Sequence, residues 1–224
     1  MSLFGILTLC GAVGLLAGWG VRDHRAQVER RRRLLDECST LFDTHALTHG
    51  GDGFPRIRGM RDGRNLHVQL FNDGMTIRRL PQLWMQITEL EALPVGGDGF
   101  AVLVRPSGYE FFSLTDGFHH IIEVPGSFPS ECIVRGESAG SERVFARAIA
   151  PLSAALADPR IKEVAVTRNG LRIIRQVDEG RAGDYLLLRQ AAFGRSDVPG
   201  VVLLDMLERL RALRTAFNAR VGAM

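Results

Sequence analysis

Lysine is nearly missing from this 224-residue chain, with Lys162 its one example, and cysteine and tyrosine are scarce at three and two. No charged side chain occurs before Arg22. Each shortage excludes something. Three cysteines (Cys10, Cys38, Cys132) cannot build a disulfide framework, which fits a reducing compartment. The lysine shortage leaves arginine as the basic residue and reflects genome composition. The formal net charge is +3, yet residues 22–33 alone hold +4, so the remainder sums to −1. A nucleic-acid domain is basic in its own right and interleaves aromatics, so nucleic acid is excluded as a partner. No P-loop or dinucleotide fingerprint occurs, and no cofactor is expected.

What is present begins with the uncharged run. As a helix, residues 1–21 would cover about 30 Å, the thickness of a bilayer's hydrocarbon core. Leu3, Phe4, Ile6, Leu7, Leu9, Val13, Leu15 and Leu16 make the run apolar, and Trp19 stands near its end. No basic residue precedes it and no small-x-small cleavage site ends it, which predicts an uncleaved anchor rather than a signal peptide. Leu9 before Cys10 argues against a lipoprotein. Arg22, Arg25, Arg30, Arg31, Arg32 and Arg33 follow at once. Positive flanks stay inside, so the reading is a single-pass inner-membrane protein with its N-terminus out. The arginines then face anionic lipid headgroups at the cytoplasmic surface. Gly14 and Gly18, with Cys10 one turn earlier, present a small-residue face, which predicts packing against another membrane protein or a second copy as a homodimer.

Three regions follow: an anchor at 1–21, a basic helical stalk at 22–49 and a cytoplasmic domain at 50–224. Leu34, Leu35, Cys38, Leu41 and Phe42 repeat at helical spacing, predicting a helix over 22–47. From Phe54 to about Glu123 the period becomes two, as in Leu66-Val68-Leu70, Leu83-Met85-Ile87 and Phe100-Val102-Val104, with Gly/Asn/Asp turns between. Such runs are antiparallel strands. The segment Gly50-Gly51-Asp52-Gly53-Phe54 recurs at 96–100, a likeness of turns more than a repeat. A helix is expected from Ser141 to Ala157, a hairpin about Asn169-Gly170, a strand at 185–190, and a closing amphipathic helix through Leu203, Met206, Leu207, Leu210, Leu213, Phe217 and Val221. The class is α+β with a mainly antiparallel sheet and segregated helices. A pleckstrin-like barrel capped by the last helix fits the pattern.

Candidate chemistry is thin. Gly136-Glu137-Ser138-Ala139-Gly140 has the spacing of a nucleophile elbow, but all six histidines precede Ser138, and the elbow's acid and base follow the serine in its own fold. Cys38, His45 and His49 would share a stripe on a helix, a thiolate–imidazole set suited to zinc. The ligand count falls short of a closed site. His119 and His120 point to opposite faces of a strand-like stretch. Arg78-Arg79 reads as a strand end. No catalytic, cofactor or metal residue is assigned. The expected function is a binding or scaffold domain, an assembly or regulatory partner of other membrane proteins. A hydrolase or metal-dependent enzyme and a lipid-headgroup binder are the alternatives.

Overall fold

The structure is a computed structural model that describes residues 3–73, 80–180 and 192–218. The expected strand at 185–190, Arg78-Arg79 and Val221 lie outside the described residues. Helix α1 (Leu3–Arg32) runs for 30 residues without a break. Among the described residues no helix is long and apolar enough to cross a membrane. This overturns the transmembrane anchor at 1–21, and with it the single-pass inner-membrane placement and the orientation derived from it. The apolar residues of α1 are diluted by Gly5, Gly11, Gly14, Gly18 and Gly20, and the same helix continues into Arg22, Asp23, Arg25, Glu29 and Arg30.

The end of α1 belongs to the domain. The Arg31 guanidinium lies over the Phe54 ring, 5.3 Å from its centroid, and donates to the Asp52 carbonyl at 3.3 Å. Val28 sits against Gly53, whose φ of +82° fits a residue without Cβ. Leu34, Leu35 and Cys38 are buried, around a single-turn helix α2 (Asp36–Ser39). The stripe residues are core, but not on the one helix their spacing predicted: α1 stops at Arg32 and residues 33–35 form a turn. The helix does not reach residue 47, however: Thr44–His49 forms strand β1. Two threonines and a partner strand outweigh the local helical pattern there.

The remaining strands are β2 (Pro55–Arg61), β3 (Arg64–Asp73), β4 (Gln82–Glu89), β5 (Phe100–Val104), β6 (His120–Ile121), β7 (Cys132–Gly136), β8 (Ile161–Thr167) and β9 (Gly170–Glu179). They form one nine-stranded sheet in the order β1-β2-β3-β4-β9-β8-β5-β7-β6. Every pairing is antiparallel. The α+β class with a large antiparallel sheet stands. The sheet is open, with β1 and β6 as its edges, so it is not a barrel.

Period-two alternation gives the sheet two unlike faces. Ile57, Val68, Met85, Ile87, Val102, Val164 and Ile173 point to the first face and form the main core. Helices α3 (Ser141–Leu156) and α4 (Gly200–Asn218) cover it, with Phe145, Leu152, Leu203, Met206, Leu210 and Phe217 facing inward. A buried carboxylate, Glu89, is held there by Arg214 of α4 at 2.6 Å.

The second face is covered over only part of its width, by the segment 105–118. Phe112 packs on Phe71 and Trp84, with centroids 5.1 and 5.8 Å apart. Phe118 joins Ala101 and Ala165. Ion pairs fasten this cover. Glu163, fully buried, pairs with Arg172 and accepts from the Leu114 N–H at 3.1 Å. Glu110 pairs with Lys162 at 2.8 Å and accepts from the Ser107 N–H, the Ser107 hydroxyl and the Gly108 N–H.

The hairpin exists, but Asn169 and Gly170 are not its two central residues, as an Asn-Gly turn would have them. Thr167 pairs with Gly170, so Arg168 and Asn169 occupy the turn. Neither has positive φ, so the turn is not type I′. Gly170 is needed for another reason. Its φ is +151°, and a Cβ there would lie 1.9 Å from the Glu89 carbonyl oxygen. The two Gly-Gly-Asp-Gly-Phe copies also differ. Gly53 takes positive φ in the first, whereas in the second Gly96 does and Gly99 does not.

Candidate functional site

The serine of the elbow-like motif is held in a turn, not exposed for attack. The Ser138 hydroxyl donates to Asp98 at 2.5 Å and accepts from the Gly140 N–H at 3.0 Å. The Ser138 N–H in turn donates to the Ser141 hydroxyl, which donates to the Gly99 carbonyl at 2.8 Å. These bonds fasten the entry of α3 to the start of β5. A general base would need the serine proton within reach of a histidine. Ser138 has no histidine among its hydrogen-bond partners in the described residues, and His120 pairs with Glu142 at 2.8 Å. His119 is exposed.

The proposed thiolate–imidazole stripe is dispersed. Cys38 is buried and its thiol donates to the Val198 carbonyl at 3.3 Å. Burial, with Glu37 and Asp197 nearby, pushes that thiol up to about 12, whereas a metal ligand must be a thiolate. His45 and His49 stand exposed on β1, not on a helix. Among the described residues no group of three His, Cys, Asp or Glu could hold a metal.

The arginine collar divides. Arg22, Arg25 and Arg30 are exposed. Arg32 and Arg33 both reach Glu29, at 3.9 and 3.5 Å, and Arg31 serves the contact with Phe54. Part of the collar therefore joins α1 to the domain. Gly18 is exposed, with nothing within 4 Å of the position its Cβ would take. The surroundings of Gly14 and Cys10 lie outside what is described.

An open hollow lies on the second face, beyond the reach of the cover. A hollow of about 510 Å³ is lined by Thr44, His45, Arg58, Gly59, Met60, Asn65, Leu66 and Leu90. Its floor exists because Gly59 brings β1 and β2 close. A Cβ there would meet the Thr44 carbonyl oxygen at 2.4 Å and Phe42 at 2.9 Å. Met60 and Leu90 are exposed apolar residues, at 40 % and 50 %. Arg56 and Arg58 lie exposed on the same face, and neither has an ion-pair partner among the described residues. Their charge also reaches His67, directly opposite Arg58. Burial first, then Arg58 and Arg56, hold that imidazole below its ordinary value.

Sequence reasoning did not single out this hollow. A usable signal was there, because Met60 falls on the polar phase of β2, with Arg56 and Arg58, rather than the buried phase with Ile57. A second cleft, of about 260 Å³, lies by Trp84, Arg105, Lys162 and Gln176. Its charged groups are largely committed. Lys162 serves Glu110 and the Arg105 carbonyl, and Arg105 donates to the Ile161 carbonyl at 2.7 Å.

No protein-family model matches the chain, and no curated protein matches it. Among solved structures it is similar to the crystal structure of the mycobacterial trehalose monomycolate transport factor A, TtfA. That similarity is 8% in identity, spans 85% of this chain and 94% of that one, and has a TM-score of 0.44. A likeness so slight bears on neither fold nor function.

Proposed function

We propose that this chain acts by binding another protein, as a scaffold or assembly partner, through the uncovered part of its sheet. The observation that carries the reading is the hollow beside β1, where Met60 and Leu90 stay exposed next to a strand edge that no described residue pairs with. Exposed apolar side chains rimmed by polar ones mark interaction surfaces more often than scattered single residues do. The hollow is also large enough for a few side chains of a partner. The serine and cysteine that first suggested chemistry serve turns and packing, which favours binding over catalysis.

The test is site-specific crosslinking. A photoreactive residue at Met60 or Leu90 of the full chain, in the cells that make it, should give discrete adducts to one other polypeptide. The same residue at Ala150, exposed on α3, should give none. Equal labelling from all three positions would show that this surface is not selective.

A further inference from the structure

The β1 edge carries none of the features that natural sheets use to discourage pairing. Such edges are shortened, bulged, covered, or given charges and prolines. β1 is six residues long, reads Thr-His-Ala-Leu-Thr-His, contains no Asp, Glu, Lys, Arg or Pro, and is exposed along its whole length. Its pairing with β2 runs in unbroken register.

The phase of its free groups follows from one bond. Gly50 N–H donates to the Phe54 carbonyl, so the bonded positions continue as Thr48, Ala46 and Thr44. His45, Leu47 and His49 therefore turn N–H and C=O outward.

The side chains decide what could pair there. On the second face Ala46 lies opposite Arg58 and Thr48 opposite Arg56. These small residues leave room for both guanidinium groups to lean across β1 toward a strand beyond it. Among the described residues no carboxylate forms an ion pair with either guanidinium, although the Arg56 guanidinium and the Asp52 carboxylate both approach Gly50. Asp43 accepts from the Asp62 N–H at 2.9 Å, Asp52 accepts from the Phe54 N–H at 3.1 Å, and Asp62 pairs with Arg61. On the first face the incoming strand would meet Leu47, 36 % exposed.

We infer that β1 accepts an extended segment of a partner protein as a tenth strand, with acidic residues at alternate positions toward Arg56 and Arg58 and an apolar residue between them toward Leu47. Main-chain bonds supply affinity in this mode, and alternate side chains supply selectivity. A second copy fits less well, because it would bring Arg56, Arg58 and the histidines toward their own kind. The inference rests on the binding role proposed above and specifies its partner.

The probe is a capped five-residue peptide alternating Glu and Val, titrated into the full chain, with a Lys/Val peptide as control. The acidic peptide should bind and the basic one should not. Arg56→Glu with Arg58→Glu should weaken binding about tenfold or more, since exposed attraction becomes repulsion. These two exposed changes leave the core untouched. Leu47→Pro removes only an outward N–H and should abolish binding, with circular dichroism unchanged.

Equal binding of both peptides, or full binding by Leu47→Pro, overturns the inference. So does a dimer that Leu47→Pro converts to monomer, which would place a second copy on the edge. Loss of peptide binding alone, with crosslinking at Met60 intact, removes the edge inference and leaves the binding role standing.

Discussion

The two parts of the second sheet face are built from the same alternation and end up unlike. Over β8 and β9 the outward positions are Glu163, Ala165 and Arg172, and the segment 105–118 closes down on them. Over β1, β2 and the first half of β3 the outward positions include Ala46, Thr48, Arg56, Arg58 and His67, and among the described residues no segment closes over them as 105–118 does over Phe71. The difference lies in charge pairing. Where acids and bases alternate between the sheet and its cover, the cover is held by buried ion pairs. Where only bases are offered, it does not extend. One part spends its charge on structure and the other leaves it for a partner.

The largest effect should come from cutting the covered part. Glu163→Ala leaves Arg172 buried without its carboxylate and frees the Leu114 N–H. Removing one partner of a buried pair costs about 3–5 kcal/mol, readable by urea unfolding. A loss below ~1 kcal/mol would mean that the cover does not depend on this pair.

Next is Gly170→Ala. The Glu89 carbonyl stands where its Cβ must go, so strands β4 and β9 have to separate locally. A cost of about 3 kcal/mol is expected. A variant as stable as the parent would show that the hairpin sits elsewhere.

Acid should weaken the fastening of the cover. Burial alone would raise Glu110, but the hydrogen bonds from Lys162 and Ser107 and the Lys162 charge outweigh it and hold the carboxyl at about 2, against an ordinary 4.5. A depressed carboxylate contributes stability that is complete above its unfolded value and lost as pH falls through its folded one. The contribution, at most about 3 kcal/mol, should therefore disappear between pH 4.5 and 2. Burial likewise opposes the ionised form of Asp158, and the Arg160 N–H and Arg175 override it, so its carboxyl adds in the same direction. In Glu110→Gln the acid limb of the stability curve should flatten. An unchanged limb would assign acid sensitivity to other groups.

The smallest effect on stability belongs to the open part. Met60→Asp and Arg58→Ala should change it by no more than about 0.5 kcal/mol, while removing the crosslinks and weakening the acidic peptide. A destabilisation comparable to that of Glu163→Ala would erase the contrast between the two parts.

Much of the fold was legible because it rests on period. The alternations at Leu66–Leu70, Leu83–Ile87 and Phe100–Val104, the helix from Ser141 and the stripe of the last helix all appear as the pattern requires. What failed depended on partners that no local pattern shows. Thr44–His49 became a strand because β2 lies beside it, and this separated the histidines from Cys38. The Asn-Gly pair is not the centre of its turn because Gly170 is fixed by the Glu89 carbonyl rather than by the turn. The uncharged N-terminal run suggests an anchor only in isolation, whereas the helix that contains it continues into charge and ends on Phe54. The hollow was missed because Met60 had to be recognised as out of phase in an otherwise polar row.

The central claim is that a partner meets the open part of the second face at the β1 edge. Hydrogen exchange of the full chain with and without the Glu/Val peptide tests it at single amides. Slowed exchange at His45, Leu47 and His49, with the amides of 105–118 unchanged, is the result expected. Unchanged exchange along β1, or slowing confined to 105–118, would contradict it.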